Sequence, residues 1–256
     1  MSWKIELIDN VVIIHMNSNN MNLINNLFLH DLNDAFDIVE KEYSGCAVVL
    51  TSEGDVFSAG LDIVQSYSLF KEGNLEKIES WYEQFRDSLI RVFSFQKPLI
   101  AAVNGHAIAG GLVLALCCDY RIACNSNARF GLNEVTIGFP LPSVTAEILS
   151  HVLGARVAER VILSGTLYEN EDALKLGLFH ELSHNDDLLE LALGYAKQYN
   201  KSQIAAYGYT KKILRKNTID RIIQYSTNID MPLPELLSSE NTVGSLGRLL
   251  ESLKNK

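Results

Sequence analysis

The stretch PLIAAVNGHAIAGGLVLALCCDYRIACNSNARFGLNE, residues 98–134, decides the fold. Residues 99–103 form a short apolar run that reads as a buried strand. Asn104-Gly105 is a turn signal. After a short loop come Ala109, Gly110 and Gly111, then an apolar run over 112–118 that reads as a buried helix. A second short strand follows over 120–123. A strand, a glycine loop and a helix together aim unpaired backbone N–H groups at negative charge. The first N–H groups of a helix have no partner inside it, and the helix dipole favours an anion there. Glycine lets a ligand approach the backbone closely. Beyond the second strand, Glu134 stands in an otherwise apolar and amide-rich setting. Backbone donors for an oxyanion, followed by one carboxylate, point to proton abstraction next to a carbonyl.

The neighbouring segments repeat this grammar. Residues 4–16 read as a hairpin turning at Asp9-Asn10, and 17–22 as a polar loop. Phe28, Leu32, Ala35, Phe36 and Val39 mark one apolar face of a helix that Ser44-Gly45 ends. Residues 46–51 are a strand. SEGDVFSAGLDI, residues 52–63, is a second strand-to-helix junction built from small residues. Ile78, Tyr82, Phe85, Leu89 and Val92 recur at helical spacing, with Trp81 and Phe93 nearby, and this aromatic-rich stripe reads as core. Gln96-Lys97-Pro98 stops that helix. Downstream, 139–142 is a loop. Helices are expected over 143–153, closed by Gly154, over 156–163, and over 171–176, capped by Gly177.

The alternation of strand and helix implies α/β layering in repeated ββα or βαβ units. From Asp187 the character changes. No strand is evident, and helical runs cover 188–199, 203–215, 218–225 and 243–253, interrupted by Met231-Pro232-Leu233-Pro234. The division expected is a mixed body over 1–186 and a helical region over 187–256 that packs against a neighbouring subunit.

Composition narrows the function. The chain has 256 residues, 47% of them hydrophobic, and a net charge of −9. That fraction supplies a core and excludes wholesale disorder. The acidic balance argues against nucleic acid as a partner. Four cysteines without a CxxC pattern read as reduced core residues, and six histidines without ligand spacing predict no metal site. Residues 1–4 run directly into a strand with no signal core or Arg-rich presequence. The ending 253–256, LKNK, is not a peroxisomal address. No apolar stretch is long enough to span a bilayer. These features predict a cytoplasmic protein that does not engage a membrane.

Four fragments in order, FSAGLDI (57–63), NGHAIAGG (104–111), CDYRIA (118–123) and RFGLNEVTIG (129–138), resemble the crotonase superfamily, the enoyl-CoA hydratase/isomerase family. The resemblance runs from about residue 3 to the C-terminus. Within the family it is nearest to the mitochondrial-type Δ3,Δ2-enoyl-CoA isomerases, which share the AGLD and GLNE wording. It implies a spiral of ββα turns with a helical C-terminal region, assembled as a homotrimer or a dimer of trimers. It implies an acyl-CoA thioester substrate, with coenzyme A arriving as part of that substrate and no separate cofactor. The thioester oxygen would be held by the N–H groups of Leu61 and Gly110. Ala59, Gly60, Leu61, Asp62 and Ile63 would line the bound substrate, Asn133 would touch it, and Glu134 would be the base.

The resemblance also identifies departures. The family's hydratases hold a water between two glutamates, one matching Glu134 and the other matching Val113. Valine can neither accept a proton nor orient water. Other relatives carry an acid in the segment matching 138–144, which here is GFPLPSV and has no carboxylate. The expected activity is therefore isomerisation of 3-enoyl-CoA to 2-trans-enoyl-CoA in fatty-acid oxidation by one glutamate. The alternatives are a hydratase, hydrolase or decarboxylase on the same oxyanion hole. A non-catalytic CoA-binding scaffold and an RNA-binding relative are opposed by the retained glycine junctions and the acidic charge. Phe139, Val113 and Ile137 are candidates for an apolar wall that raises the pKa of Glu134. His106 reads as a loop or packing residue, and Asp119 as the tie of a turn. Lys71, Lys77 and Lys97 are candidates for the CoA phosphates.

Overall fold

The computed structural model describes residues 2–19 and 21–254. Met1, Asn20, Asn255 and Lys256, named in the readings of the termini and of the 17–22 loop, lie outside the described residues. The chain opens with the expected hairpin, β1 (Lys4–Ile8) and β2 (Val11–Met16), paired antiparallel. Asp9 and Asn10 both take positive φ, 48° and 66°. That is the turn geometry that matches strand twist, and these two residue types tolerate it.

Next come α1 (Asn26–Glu42), β3 (Ala47–Ser52), β4 (Val56–Ser58), α2 (Ile63–Glu72) and α3 (Leu75–Ser94). The stretch quoted first folds as β5 (Leu99–Val103), β6 (His106–Ile108), α4 (Gly110–Cys117), β7 (Tyr120–Cys124) and β8 (Phe130–Gly131). The rest is α5 (Ser143–Leu153), α6 (Ala155–Ser164), β9 (Leu167–Tyr168), α7 (Asn170–Lys175), β10 (Glu181–Ser183), α8 (Leu188–Ala196), α9 (Lys201–Ser226), α10 (Leu233–Ser238) and α11 (Glu240–Lys254).

Two sheets result. The larger has strand order β1-β2-β3-β5-β7-β10, and the smaller β4-β6-β8-β9. In the middle of the chain each turn gives one strand to each sheet: β3, β5 and β7 to the first, β4, β6 and β8 to the second. This is the spiral of ββα turns that the resemblance implied. The inner strands of the larger sheet are buried on both faces, while its edge strand β1 is largely exposed. Val12, Ile14, Val48, Leu50 and Ala101 face the main core, while Val11, Ile13, Val49, Ile100 and Ile122 pack under α8. Burial on both faces explains why these strands read as continuous apolar runs rather than as alternation.

Several boundaries differ from the sequence reading. The runs at 203–215 and 218–225 are one helix, α9, opened by an Asn200/Gln203 capping box. Lys216-Asn217 lies on its outer side and does not interrupt the buried stripe through Lys211, Arg215 and Thr218. The junction at 52–63 implies a helix after it, but the extent of α2 has no sequence signal, because only Ser66 and Phe70 in it are buried, too few to set a period. Strands β8, β9 and β10 have two or three residues each and carry no period at all. His106 belongs to β6 and not to a loop. All four cysteines are buried and unpaired.

Asp119 does tie down a turn, accepting the Leu99 N–H at 2.8 Å, but it does more. Its carboxylate also meets Lys211 Nζ at 2.8 Å and the Arg215 guanidinium at 2.8 Å. It thereby fastens α9 to the start of β5. Among the described residues, no helix is long and apolar enough to cross a membrane.

Candidate active site

Two strand-to-helix junctions and one loop converge on a single cavity. At the first junction, Gly60 takes φ +86° between β4 and α2. A Cβ there would lie 2.7 Å from Ala109 Cβ and 2.8 Å from Ile108 O, so both conformation and space require glycine. The same construction would lie 3.3 Å from Gly110 N, which shows that the two junctions touch. The loop is clamped by residues 21–24. Ala59 N–H donates to Met21 O at 3.0 Å, Ile24 N–H to Gly60 O at 2.8 Å, and Asp62 N–H to Ile24 O at 3.0 Å. Ile24 and Leu61 thus form a parallel bridge. In such a bridge the Leu61 N–H points away from its partner. Asp62 caps α2, its Oδ1 accepting the Val64 and Gln65 N–H groups.

At the second junction Ala109 takes φ +53° and ψ −129°. Positive φ is uncommon for a residue with a Cβ, and this strain is held by Ala109 N–H donating to Gly131 O at 2.8 Å. The turn delivers Gly110 as the first residue of α4. Among the described residues, neither the Leu61 nor the Gly110 N–H meets a protein acceptor. Both sit at helix starts, where the dipole favours negative charge.

Glu134 lies just after β8, at the head of a 3-10 turn over Val135–Ile137. Its carbonyl accepts the Phe139 N–H at 2.8 Å, which fixes the loop, while its side chain enters the cavity. The residue is 8% exposed, and its Oε2 is buried without a hydrogen-bond partner. Burial pushes its pKa up to about 7. Desolvation outweighs the one backbone hydrogen bond that favours the charged form, so ionisation costs hydration and the carboxylate is a stronger base.

The cavity has a volume of about 380 Å³. Ala59, Leu61, Asp62, Ile63, Asn133 and Glu134, all expected at the site, line it. Gly60 and Gly110, also expected at the site, are not among the lining residues; they meet where the two junctions touch. Ile137 and Phe139 form part of the apolar lining, as expected, but Val113 does not. Its side chain is buried in the main core. Sequence reading missed Met21 and Leu23 on one side and Leu249, Leu250 and Leu253 of α11 on another. The apolar face of α11 was the available signal for the last three. Among the described residues, none that lines the cavity is a lysine or arginine. Lys97 is buried and donates to Val39 O and Tyr43 O, both at 2.7 Å, so it is unavailable to a phosphate. Lys77 pairs with Glu72, and Lys71 lies over the Tyr67 ring. The His106 Nδ1 accepts the Arg129 N–H, a packing role.

The family profile described as Enoyl-CoA hydratase/isomerase matches residues 6–256. The chain belongs to this family. It is 31% identical over 238 residues to mouse "Enoyl-CoA delta isomerase 1, mitochondrial", spanning 91% of this chain and 81% of that protein. It is 36% identical over 183 residues to a "Putative enoyl-CoA hydratase" of Thermus thermophilus, spanning 70% of each. The crystal structure of human mitochondrial Δ3,Δ2-enoyl-CoA isomerase superposes with a TM-score of 0.92 at 26% identity, covering 100% of this chain and 99% of that one. The enoyl-CoA hydratase/isomerase fold is therefore present over the whole chain.

Proposed function

We propose that the chain is a Δ3,Δ2-enoyl-CoA isomerase that moves the double bond of a 3-enoyl thioester into conjugation. The observation that carries this reading is Glu134. Among the described residues it is the one carboxylate lining the cavity whose oxygen has no partner. Asp62, the other acid in the wall, is committed to capping α2 and to Asn25. One free base is what isomerisation needs, whereas activating a water between two carboxylates needs a second.

In the proposed reaction the thioester oxygen lies between the Leu61 and Gly110 N–H groups. Glu134 takes a proton from C2, the C–H electron pair forms a C1–C2 double bond, and the carbonyl π pair moves onto the thioester oxygen, giving a dienolate. The protonated Glu134 then returns the proton to C4. The electrons of the 3,4 double bond form the new C4–H bond, the C1–C2 pair becomes the 2,3 double bond, and the oxygen pair restores the carbonyl. Donors already oriented at the developing oxyanion lower this barrier. The loss of one such donor typically costs about 3 kcal/mol. Asn133, beside the base in the wall, is read as a substrate contact, and the apolar lining excludes the water a hydratase would use.

The similarity to the delta isomerase and Val113 three residues after Gly110 support the same reading. The reading of the helical region as a subunit contact is supported by apolar side chains on the outside of α9. Tyr209 and Leu214 are 68% and 67% exposed. Such a patch suits a neighbouring copy.

The test is an assay of the purified protein with 3-hexenoyl-CoA and, separately, with 2-hexenoyl-CoA. Isomerisation of the first is expected, with kcat/KM rising as pH increases through about 7, because the base must be ionised. Hydration of the second without isomerisation of the first would reject the reading in favour of a hydratase.

A further inference from the structure

Residues 22–25 contact both candidate oxyanion donors. Ile24 pairs through its backbone with the loop that presents the Leu61 N–H. Its side chain reaches the other junction, since a Cβ added at Gly110 would lie 2.9 Å from Ile24 Cδ1. One residue therefore stands between the two loops, paired to one and packed on the other, and it is 3% exposed.

Its own position is over-determined. Asn22 is fully buried at φ +45°. Its Nδ2 donates to Val56 O at 3.0 Å, and its carbonyl accepts the Ser58 Oγ–H at 2.7 Å. On the other side, Asn25 caps α1 by accepting the Phe28 N–H at 2.9 Å and donates to Asp62 Oδ2 at 3.3 Å. The segment is thus anchored to β4 before Ile24 and to the start of α2 after it.

We propose that Ile24 is a positioning residue that sets the separation of the two N–H groups. The proposal rests on reading Leu61 and Gly110 as the carbonyl-binding pair. Electrostatic stabilisation depends on donors held where the charge develops. A free donor at the end of a loop, with no protein acceptor to orient it, keeps its direction only through its neighbours. Ile24 is the neighbour common to both. Ile24 touches no substrate in this scheme and acts only through the two loops.

The experiment uses the full chain with 2-hexenoyl-CoA carrying a carbon-13 thioester carbonyl. The carbonyl stretch of the bound ligand is read by difference Raman spectroscopy, alongside kcat and KM for 3-hexenoyl-CoA. Ile24→Val removes only the Cδ1 that meets Gly110 and keeps the backbone bridge. Ile24→Ala removes more. In the unaltered protein the stretch is expected to fall below that of the free thioester. In Ile24→Val part of that lowering should disappear and kcat should fall about tenfold, a fraction of the 10²–10³ lost with a whole donor. KM should change little, because the rest of the binding surface is intact. The pH midpoint of the rate should stay where Glu134 sets it.

A lowered stretch that is identical in the unaltered protein and in Ile24→Val would overturn the proposal, as would an unchanged kcat. If Ile24→Ala fails to fold, the valine variant decides. No lowering in the unaltered protein would instead reject the carbonyl-binding pair itself, and this proposal with it.

Discussion

Glu134→Gln should change the pH dependence of stability as well as the chemistry. Burial holds the Glu134 carboxyl at about 7 in the folded chain, against an ordinary value of 4.5. Between those two pH values the folded state binds a proton that the unfolded state has released. Stability therefore falls as pH rises from 4.5 to about 7 and is level in this respect above it. Each decade is worth about 1.4 kcal/mol, so the whole interval amounts to roughly 3 kcal/mol. Glutamine does not titrate and escapes this loss. Its amide would replace an oxygen that has no partner, at a cost of about 1–3 kcal/mol that is the same at every pH. The variant should thus be the less stable protein at pH 5 and equal to or more stable than the parent at pH 8. Urea denaturation at both pH values, at one protein concentration, measures the swing between them. Parallel stability curves would show that the carboxyl is not held up by burial, and the argument for a strengthened base would fall with it.

Two further substitutions probe the framework. Gly60→Ala places a methyl 2.7 Å from Ala109 Cβ at φ +86°, so the two junctions must separate. We expect kcat to fall about 100-fold or more, the loss typical of one misplaced donor, while circular dichroism stays native. Retention of full kcat would disprove the contact between the loops. Asp119→Asn leaves Lys211 and Arg215, 5% and 7% exposed, without their counter-charge. Breaking a buried pair in this way costs about 3–5 kcal/mol, and chemical denaturation should show a loss of that size. A loss below about 1 kcal/mol would mean that α9 is fastened by its apolar contacts alone.

What could be read from the sequence was local. Each junction announces itself by small residues between an apolar strand and a helix, because the backbones there approach too closely for larger side chains. Glu134 was legible as a carboxylate in an apolar setting. The residues that hold the junctions in place were not. Ile24 lies next to an Asn-rich stretch read as loop, and its role comes from main-chain pairing that any side chain can make. Asn22 and Ala109 carry positive φ, which composition does not reveal. Helix α2 has two buried residues, so periodicity had nothing to register. Leu249, Leu250 and Leu253 were visible as a helical apolar face, but only the fold shows that this face closes a cavity. Val113 carries no group that can take or give a proton. Its placement in the wall was wrong because α4 turns that side chain into the core.

The spacing of residues 61, 110 and 134 follows from the spiral. Strands β4, β6 and β8 run parallel, pairing Ser58 with Ala107 and then Ile108 with Gly131. The loops that leave their C-terminal ends are consequently adjacent in the same order. The first loop presents the Leu61 N–H, the second the Gly110 N–H, and the third Glu134. The sheet uses up the hydrogen bonds of the strands themselves, so the first unpaired N–H groups occur where each strand turns into its helix. The proposed oxyanion site would then follow from stacking two such turns side by side, with glycine letting them touch. The base is supplied by a different turn, whose loop is fixed separately by the Phe139 N–H on Glu134 O. In the proposed mechanism the carbonyl-binding pair and the base are therefore held by separate contacts. A change in the loop after β8 would, in that mechanism, alter what is done to the thioester without disturbing how it is held. Under the proposed function, the single unpartnered carboxylate is what favours isomerisation over hydration on this scaffold.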